Sequence, residues 1–190
     1  MTKRLFIAIE LDNTCILKLN NFMQDARQSL LDPACRWVNM RNFHLTLSFL
    51  GERLESIIPQ ITKAMDMGAK EVDRFALHFK GLGCFPSIKM PRVFWVGVEN
   101  GLQLKALYTI LGKHLSAVIA LGRSTFSPHL TLARIKDDYQ IETPVVLRSL
   151  INEFQSRSFG TSNVDKITLF ASDLRKSGPI YTALHHSMLQ

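Results

Sequence analysis

The chain has 190 residues, 46% of them hydrophobic and 21% charged, with 23 lysines and arginines against 16 aspartates and glutamates. That balance excludes a disordered or collagen-like chain and describes a globular protein able to bury about 70% of its unfolded surface. The net charge of +7 favours an anionic partner, nucleic acid or nucleotide first, although no dense Lys/Arg run occurs. Residues 1–10 alternate and carry Glu10, so no secretory leader is expected. No apolar run approaches the ~18 residues of a membrane helix. Cys15, Cys35 and Cys84 are an odd, scattered three without CxxC spacing. They read as buried structural thiols of a reducing cytoplasm.

In chain order, Lys3 to Glu10 is a buried strand rich in branched and aromatic residues. Asp12 is the N-cap of a helix running to about residue 31, broken by Asp32-Pro33. Arg36-Trp37-Val38 is a short extended piece, and Asn42 to Leu50 a strand ending at Gly51. A helix over about 54–72 carries Pro59 in its first turn. Phe75, Leu77 and Phe79 alternate in the next strand, which ends in a Gly81-Leu82-Gly83 turn. Arg92 to Val98 is a strand, and a helix runs from Leu102 to about Ile119, stopped by Gly122. Phe126-Ser127-Pro128 leads into a further strand at His129. Thr143-Pro144 caps a helix to about Arg157, Val164 to Phe170 is a strand, and Pro179 to His185 a last one.

One tetrapeptide occurs twice. His44-Leu45-Thr46-Leu47 returns as His129-Leu130-Thr131-Leu132, using two of the chain's six histidines. On a strand, alternate side chains share a face, so each copy sets an imidazole beside a hydroxyl with two leucines buried behind. The surrounding elements also repeat as strand, helix, histidine strand, helix, strand, roughly over 3–84 and 92–171. A duplicated pattern of this kind predicts one α+β domain over 1–190: bilobal, with two pseudo-twofold-related lobes, mostly antiparallel sheets facing a central cleft, and helices outside.

These residues resemble the 2H phosphoesterase superfamily, and within it the bacterial RNA 2′,3′-cyclic phosphodiesterases, or 2′-5′ RNA ligase-like proteins. Besides the doubled His-x-Thr-x motif, the likeness extends to Arg4-Leu5-Phe6-Ile7-Ala8-Ile9, Arg92-Val93-Phe94-Trp95-Val96-Gly97 and Gly178-Pro179-Ile180-Tyr181. The resemblance implies hydrolysis of RNA 2′,3′-cyclic ends to 2′-phosphomonoesters, with His44 as proton donor to the leaving O3′ and His129 as the base that activates water. It also implies a reversible, ATP-independent 2′-5′ joining reaction and a phosphate-contacting arginine at Arg134.

A cyclic phosphodiester needs water delivered on one side of phosphorus and a proton on the other, and histidine serves either need near neutral pH. Thr46 and Thr131 are placed to donate to the non-bridging oxygens. Two neutral hydroxyls are modest support, so a cation is expected too, and Arg134 is the nearest. The residues alone do not order the two histidines. No cofactor or metal is expected, since His78, His114, His185 and His186 lack zinc-ligand spacing.

A single His-Leu-Thr-Leu would be an ordinary half-buried strand; the second copy makes it a site. Phe43, Phe49, Phe94 and Trp95 read as core, while Trp37, Phe126 and Tyr181 are freer to stack on a base. His78 reads as structural. Arg41, Lys89, Arg92, Arg123 and Lys136 are candidates to track an RNA backbone, with a solvated surface as the default. Alternatives are an enzyme for a small cyclic nucleotide or 2′-5′ oligonucleotide, and a non-catalytic RNA or nucleotide binder. A monomer is expected, since an enclosed two-lobed site requires no partner subunit.

Overall fold

A computed structural model describes residues 1–99, 101–122, 125–138, 142–175 and 178–190. Among these residues the first half of the chain forms β1 (Thr2–Glu10), α1 (Asn13–Ala26), β2 (Cys35–Trp37), β3 (His44–Leu54), α2 (Ile58–Ala69) and β4 (Phe75–Pro86). There follow β5 (Pro91–Glu99), α3 (Leu102–Ser116), β6 (His129–Ile135), α4 (Thr143–Glu153), β7 (Ser158–Val164), β8 (Lys166–Arg175) and β9 (Gly178–Met188).

The strands join in the order β7-β4-β5-β6-β3-β1-β8-β9, with β2 alongside β6, and all the pairings are antiparallel. This is the expected α+β architecture. Two half-sheets meet where β6 touches β3. The last strand of each predicted repeat crosses over: β4 lies beside β5, and β8 beside β1. Helices follow the same exchange. α1 packs on β7 and α4 on β4, while α2 packs on α3, β8 and β9.

Alternation decides which face each half-sheet buries. Leu5, Ile7 and Ile9 of β1 are essentially inaccessible beneath the helices, which leaves Arg4, Phe6, Ala8 and Glu10 on the other face. Leu45, Leu47, Leu130 and Leu132 are buried in the same layer, each worth about 1.5–3 kcal/mol. A slip of one residue would bury the histidines and expose the leucines, so this burial fixes the register. The edge strand β9 is held to α2 through Asp66, whose Oδ1 accepts from His185 Nε2 at 2.7 Å and Ser187 Oγ at 2.6 Å.

Several local expectations are corrected. Asp12 occupies the N-cap of α1, but its carboxylate accepts from the backbone and side-chain amides of Asn163 instead of capping the helix. The first helix does reach its expected end near residue 31, its last stretch being a π-helical turn, Arg27–Leu31. Gly51 (φ 74°) does not end β3; it lies at a bulge, and the strand continues to Leu54. The Gly81-Leu82-Gly83 stretch is also no turn. It is a bulged segment inside β4, and its glycines make room for the Gln155 carbonyl and the Trp95 indole. α3 ends at Ser116, short of Ile119. α4 ends at Glu153, and Thr143 is its first residue, with a buried hydroxyl that has no hydrogen-bond partner among the described residues, so it is not a cap. β7 was not expected: Ser158 to Val164 is polar and contains glycine, yet it pairs along β4.

Candidate active site

The site is built where β3 meets β6. Among the described residues their paired positions are Leu45 and Leu130, both fully buried. Antiparallel order sets His44 on the side of Thr131, and Thr46 on the side of His129. All four side chains leave the face opposite the leucines and are half-buried. Diagonal neighbours in such a register stand roughly 7–8 Å apart, which is the relation of His44 to His129.

Each imidazole is oriented in the same way. His44 Nδ1 lies 2.7 Å from the Asn42 carbonyl, and His129 Nδ1 lies 2.7 Å from the Ser127 carbonyl. A carbonyl only accepts, so Nδ1 carries the proton and Nε2 is left for chemistry. Asn42 is itself anchored, its side-chain amide donating to the Pro179 carbonyl at 3.1 Å. His44 Nε2 stands 3.1 Å from Thr46 Oγ1.

Aromatic rings wall both histidines. Phe6 and Tyr181 lie 5.0 and 5.3 Å from the His44 ring, Tyr181 edge-on, with Phe170 behind at 6.5 Å. Phe85 and Trp95 lie 4.9 and 6.3 Å from His129. Burial lowers the His44 pKa from its ordinary value; the charge on His129 adds to this, and the bond to the Asn42 carbonyl opposes it. The two imidazoles therefore lie within electrostatic reach of one another. Burial pushes the Tyr181 phenol up, against the nearby charges of Arg134 and Arg4.

Arg134 is exposed on β6, opposite Arg36 of β2 and Val93 of β5. It borders a concavity of about 260 Å³ that Arg36, Arg92 and Lys136 also line, and this concavity is not centred on the histidines. The structure therefore brings His44, Thr46, His129 and Thr131 together, with Arg134 at the rim beside Tyr181.

Other candidates lie elsewhere. Phe49 is not core but 71% exposed, because an irregularity at Leu47, between the pairs Ala8–Thr46 and Ile7–Ser48, reverses the alternation. Trp95 is not core either: Phe94 and Val96 are buried, so alternation along β5 sets its indole on the opposite face, toward His129. Trp37 packs against Phe94 with the Arg27 guanidinium 5.6 Å above it, and Phe126 stacks on Tyr108 at 4.1 Å. His78 is exposed, as are Arg41 and Lys89, while Arg92 is ion-paired with Asp137. Lys136 donates to the Pro33 carbonyl. Arg123 lies outside the described residues. Phe6, Phe85 and Phe170 do not stand out in the sequence, since a phenylalanine facing a cleft has the same alternation as one facing a core.

Among the described residues no three His, Cys, Asp or Glu side chains gather to hold a metal ion. His114 bonds Glu71, His185 bonds Asp66 and His186 approaches Thr168. Burial pushes the Cys15 thiol to about 11 and those of Cys35 and Cys84 to about 12, so all three stay protonated. Cys84 is only half-buried. No helix among the described residues is long and apolar enough to cross a membrane.

The antiparallel α+β fold is shared with known proteins. The chain belongs to the 2′-5′ RNA ligase superfamily, whose family model matches residues 17–175. It is 35% identical over 160 residues to the RNA 2′,3′-cyclic phosphodiesterase of Aquifex aeolicus, covering 81% of either chain. The enzyme of the same name from Thermotoga maritima is 34% identical over 154 residues, covering 81% of this chain and 79% of its own. Among solved structures, TT0787 of Thermus thermophilus matches with a TM-score of 0.81 at 27% identity, over 98% of this chain and 97% of that one. LigT of E. coli in complex with 3′-AMP shares the fold, with a TM-score of 0.76 at 24% identity over 100% of this chain and 99% of its own.

Proposed function

We propose that this chain is an RNA 2′,3′-cyclic phosphodiesterase that opens the cyclic end to a 2′-phosphomonoester. The observation that carries the reading is the matched pair of imidazoles, each with Nδ1–H tied 2.7 Å from the carbonyl two residues back and Nε2 left toward the cleft. Membership of the superfamily and relatives named for this activity point the same way.

In this mechanism His129 Nε2 takes a proton from water as the water oxygen bonds to phosphorus. Protonated His44 gives its Nε2 proton to O3′ as the P–O3′ bond breaks. A roughly diagonal placement suits an in-line displacement, with attacking and leaving oxygens on opposite sides of phosphorus. Each positioned proton transfer contributes roughly 10²–10⁴-fold. Thr46 and Thr131 donate to the non-bridging oxygens, and Arg134 supplies the cation, at about 1.5–3 kcal/mol per charge-assisted bond. Phosphate charge arriving beside His44 offsets the burial that lowers its pKa, so the imidazolium forms with substrate in place. A 5′-hydroxyl in place of water gives a 2′-5′ linkage by the same steps, without ATP.

The partner is RNA with a 2′,3′-cyclic end, or a small cyclic nucleotide, and the working unit is a monomeric bilobal domain over 1–190 with its repeat at 3–84 and 92–171. Both histidines come from one continuous sheet, so a second subunit is not needed. Three free cysteines suit a cytoplasmic setting.

The test is to incubate the protein with an RNA carrying a 2′,3′-cyclic end and locate the phosphate in the product by ³¹P NMR. A 2′-phosphomonoester is expected. Absence of product, or a 3′-phosphomonoester, would overturn the reading.

A further inference from the structure

Four cationic side chains border the concavity beside Arg134, and they differ in how they are partnered. Arg92 is ion-paired with Asp137, and Lys136 Nζ donates to the Pro33 carbonyl at 2.6 Å. Arg36 and Arg134 have no ion-pair partner among the described residues, and both are exposed. They are also Cα partners across the β2–β6 ladder, so their side chains leave one face from Cβ atoms about 5 Å apart. Like charges directly opposite one another destabilise a sheet. β2 is three residues long and, among the described residues, pairs with β6 alone, which sets Arg36 across from Arg134; Asp137, the acid in the same lining, is taken by Arg92. An anion between the two guanidiniums would relieve the repulsion, and guanidinium forks match a phosphodiester in geometry as well as charge.

The concavity is also placed to receive the rest of a substrate. Arg134 lies three residues along β6 from Thr131, about 10 Å of extended strand. A nucleotide or two of backbone and the reach of an arginine side chain cover that distance. About 260 Å³ holds a phosphodiester with several waters, each of which takes roughly 30 Å³.

We infer that this concavity is a second phosphate subsite, in which Arg36, with Arg134 beside it, holds a backbone phosphodiester upstream of the cyclic end. The inference rests on the cyclic phosphodiesterase reading and narrows its substrate to an oligonucleotide in preference to a mononucleotide. Arg134 serves both phosphates through its five N–H donors, while Arg36 acts only on the second.

The experiment compares the full-length protein with Arg36→Gln and Arg36→Lys, after circular dichroism has checked that all three fold. Hydrolysis is measured on a 2′,3′-cyclic mononucleotide and on a six-nucleotide RNA with a 2′,3′-cyclic end. Binding of a 3′-phosphorylated six-nucleotide RNA is measured by fluorescence anisotropy at several salt concentrations. Arg36→Gln should lower kcat/KM on the six-mer about tenfold, mainly through KM, and leave the mononucleotide unchanged. Its salt slope should fall by roughly 0.7, the value for one phosphate on a single strand. Arg36→Lys should keep most of that slope. Equal losses on both substrates, or no loss on the six-mer, would overturn the subsite. If wild type hydrolyses neither substrate, the catalytic reading fails, and the anisotropy series still decides whether Arg36 holds RNA.

Discussion

Leu45 of β3 and Leu130 of β6 face each other across the contact between the two half-sheets, and both are fully buried. They are the second residues of the two identical tetrapeptides, so the pseudo-twofold axis passes between them. The pairing has a chemical consequence. On the opposite face each histidine stands beside the threonine of the other copy, and an imidazole–hydroxyl pair flanks each side of whatever lies on the axis. In the proposed reaction two non-bridging oxygens are bound, the leaving oxygen is protonated and the attacking water is deprotonated, and the symmetry of the site matches that need.

His44→Ala and His129→Ala should each lower kcat on a cyclic-ended RNA by roughly 10²–10⁴. The double variant should fall little further, because the two groups act in one step and their losses do not add. Single-turnover assays on protein checked for folding measure this. Near wild-type rates in either single variant would remove proton transfer from that residue.

The lowered pKa of His44 carries a sign for stability. Burial is the main cause, so the folded state binds the proton less readily than the unfolded chain, whose histidine titrates near 6.5. The unfolded state therefore gains protons first as pH falls, and stability drops below pH 6.5 through the lowered folded value, while above 6.5 it is intact. Tm should decline as pH falls below about 6.5 more steeply in wild type than in His44→Gln. With substrate, the phosphate charge raises the same pKa, so the alkaline limb of kcat should lie above that of kcat/KM. Superimposable limbs, or equal Tm slopes, would contradict the burial of His44 as the cause.

Most of the candidate site's geometry is legible in the amino-acid sequence because it obeys short-range rules. Leu45 and Leu47 alternate with His44 and Thr46, and only one register buries the leucines. The features that escape such a reading depend on bulges or on partners distant in sequence. The irregularity at Leu47 exposes Phe49, whereas Trp95 faces His129 by plain alternation with the buried Phe94 and Val96. Gly81 and Gly83 look like turn residues, but they are clearances for Gln155 and Trp95. Ser158 to Val164 lacks strand propensity and is a strand because β4 offers it an edge. Arg36 looks like any exposed arginine until β2 sets it opposite Arg134. The crossing of β4 and β8 between half-sheets has no local signature at all.

Thr46→Val keeps the shape of the side chain and removes the hydroxyl that stands 3.1 Å from His44 Nε2. A charge-assisted bond to a phosphate oxygen is worth about 1.5–3 kcal/mol, so kcat/KM should fall about 10- to 150-fold. Thr46→Ser should recover most of the loss. The same pair of changes at Thr131 should behave alike if the two motifs are functionally equivalent, and steady-state kinetics on the four variants reads this directly. A Thr46→Val protein with unaltered kinetics would make the residue a strand former and nothing more.

Gly83→Ala tests whether the aromatic wall positions His129. A Cβ on residue 83 would meet Trp95 Cζ2 at 2.2 Å and Cη2 at 2.3 Å, so the indole must move. Trp95 lies 5.0 Å from Phe85 and 6.3 Å from His129, and Phe85 touches the same imidazole edge-on at 4.9 Å. Overpacking of this kind costs about 1–3 kcal/mol, which should lower Tm by several degrees. Activity should fall with it, even at a temperature where the variant is fully folded, because the ring that shifts is part of the wall around His129. Trp95 fluorescence, with Trp37→Phe as background, follows the displacement. A variant that loses stability but keeps wild-type kcat would confine Trp95 to packing and leave the orientation of His129 to the Ser127 carbonyl alone.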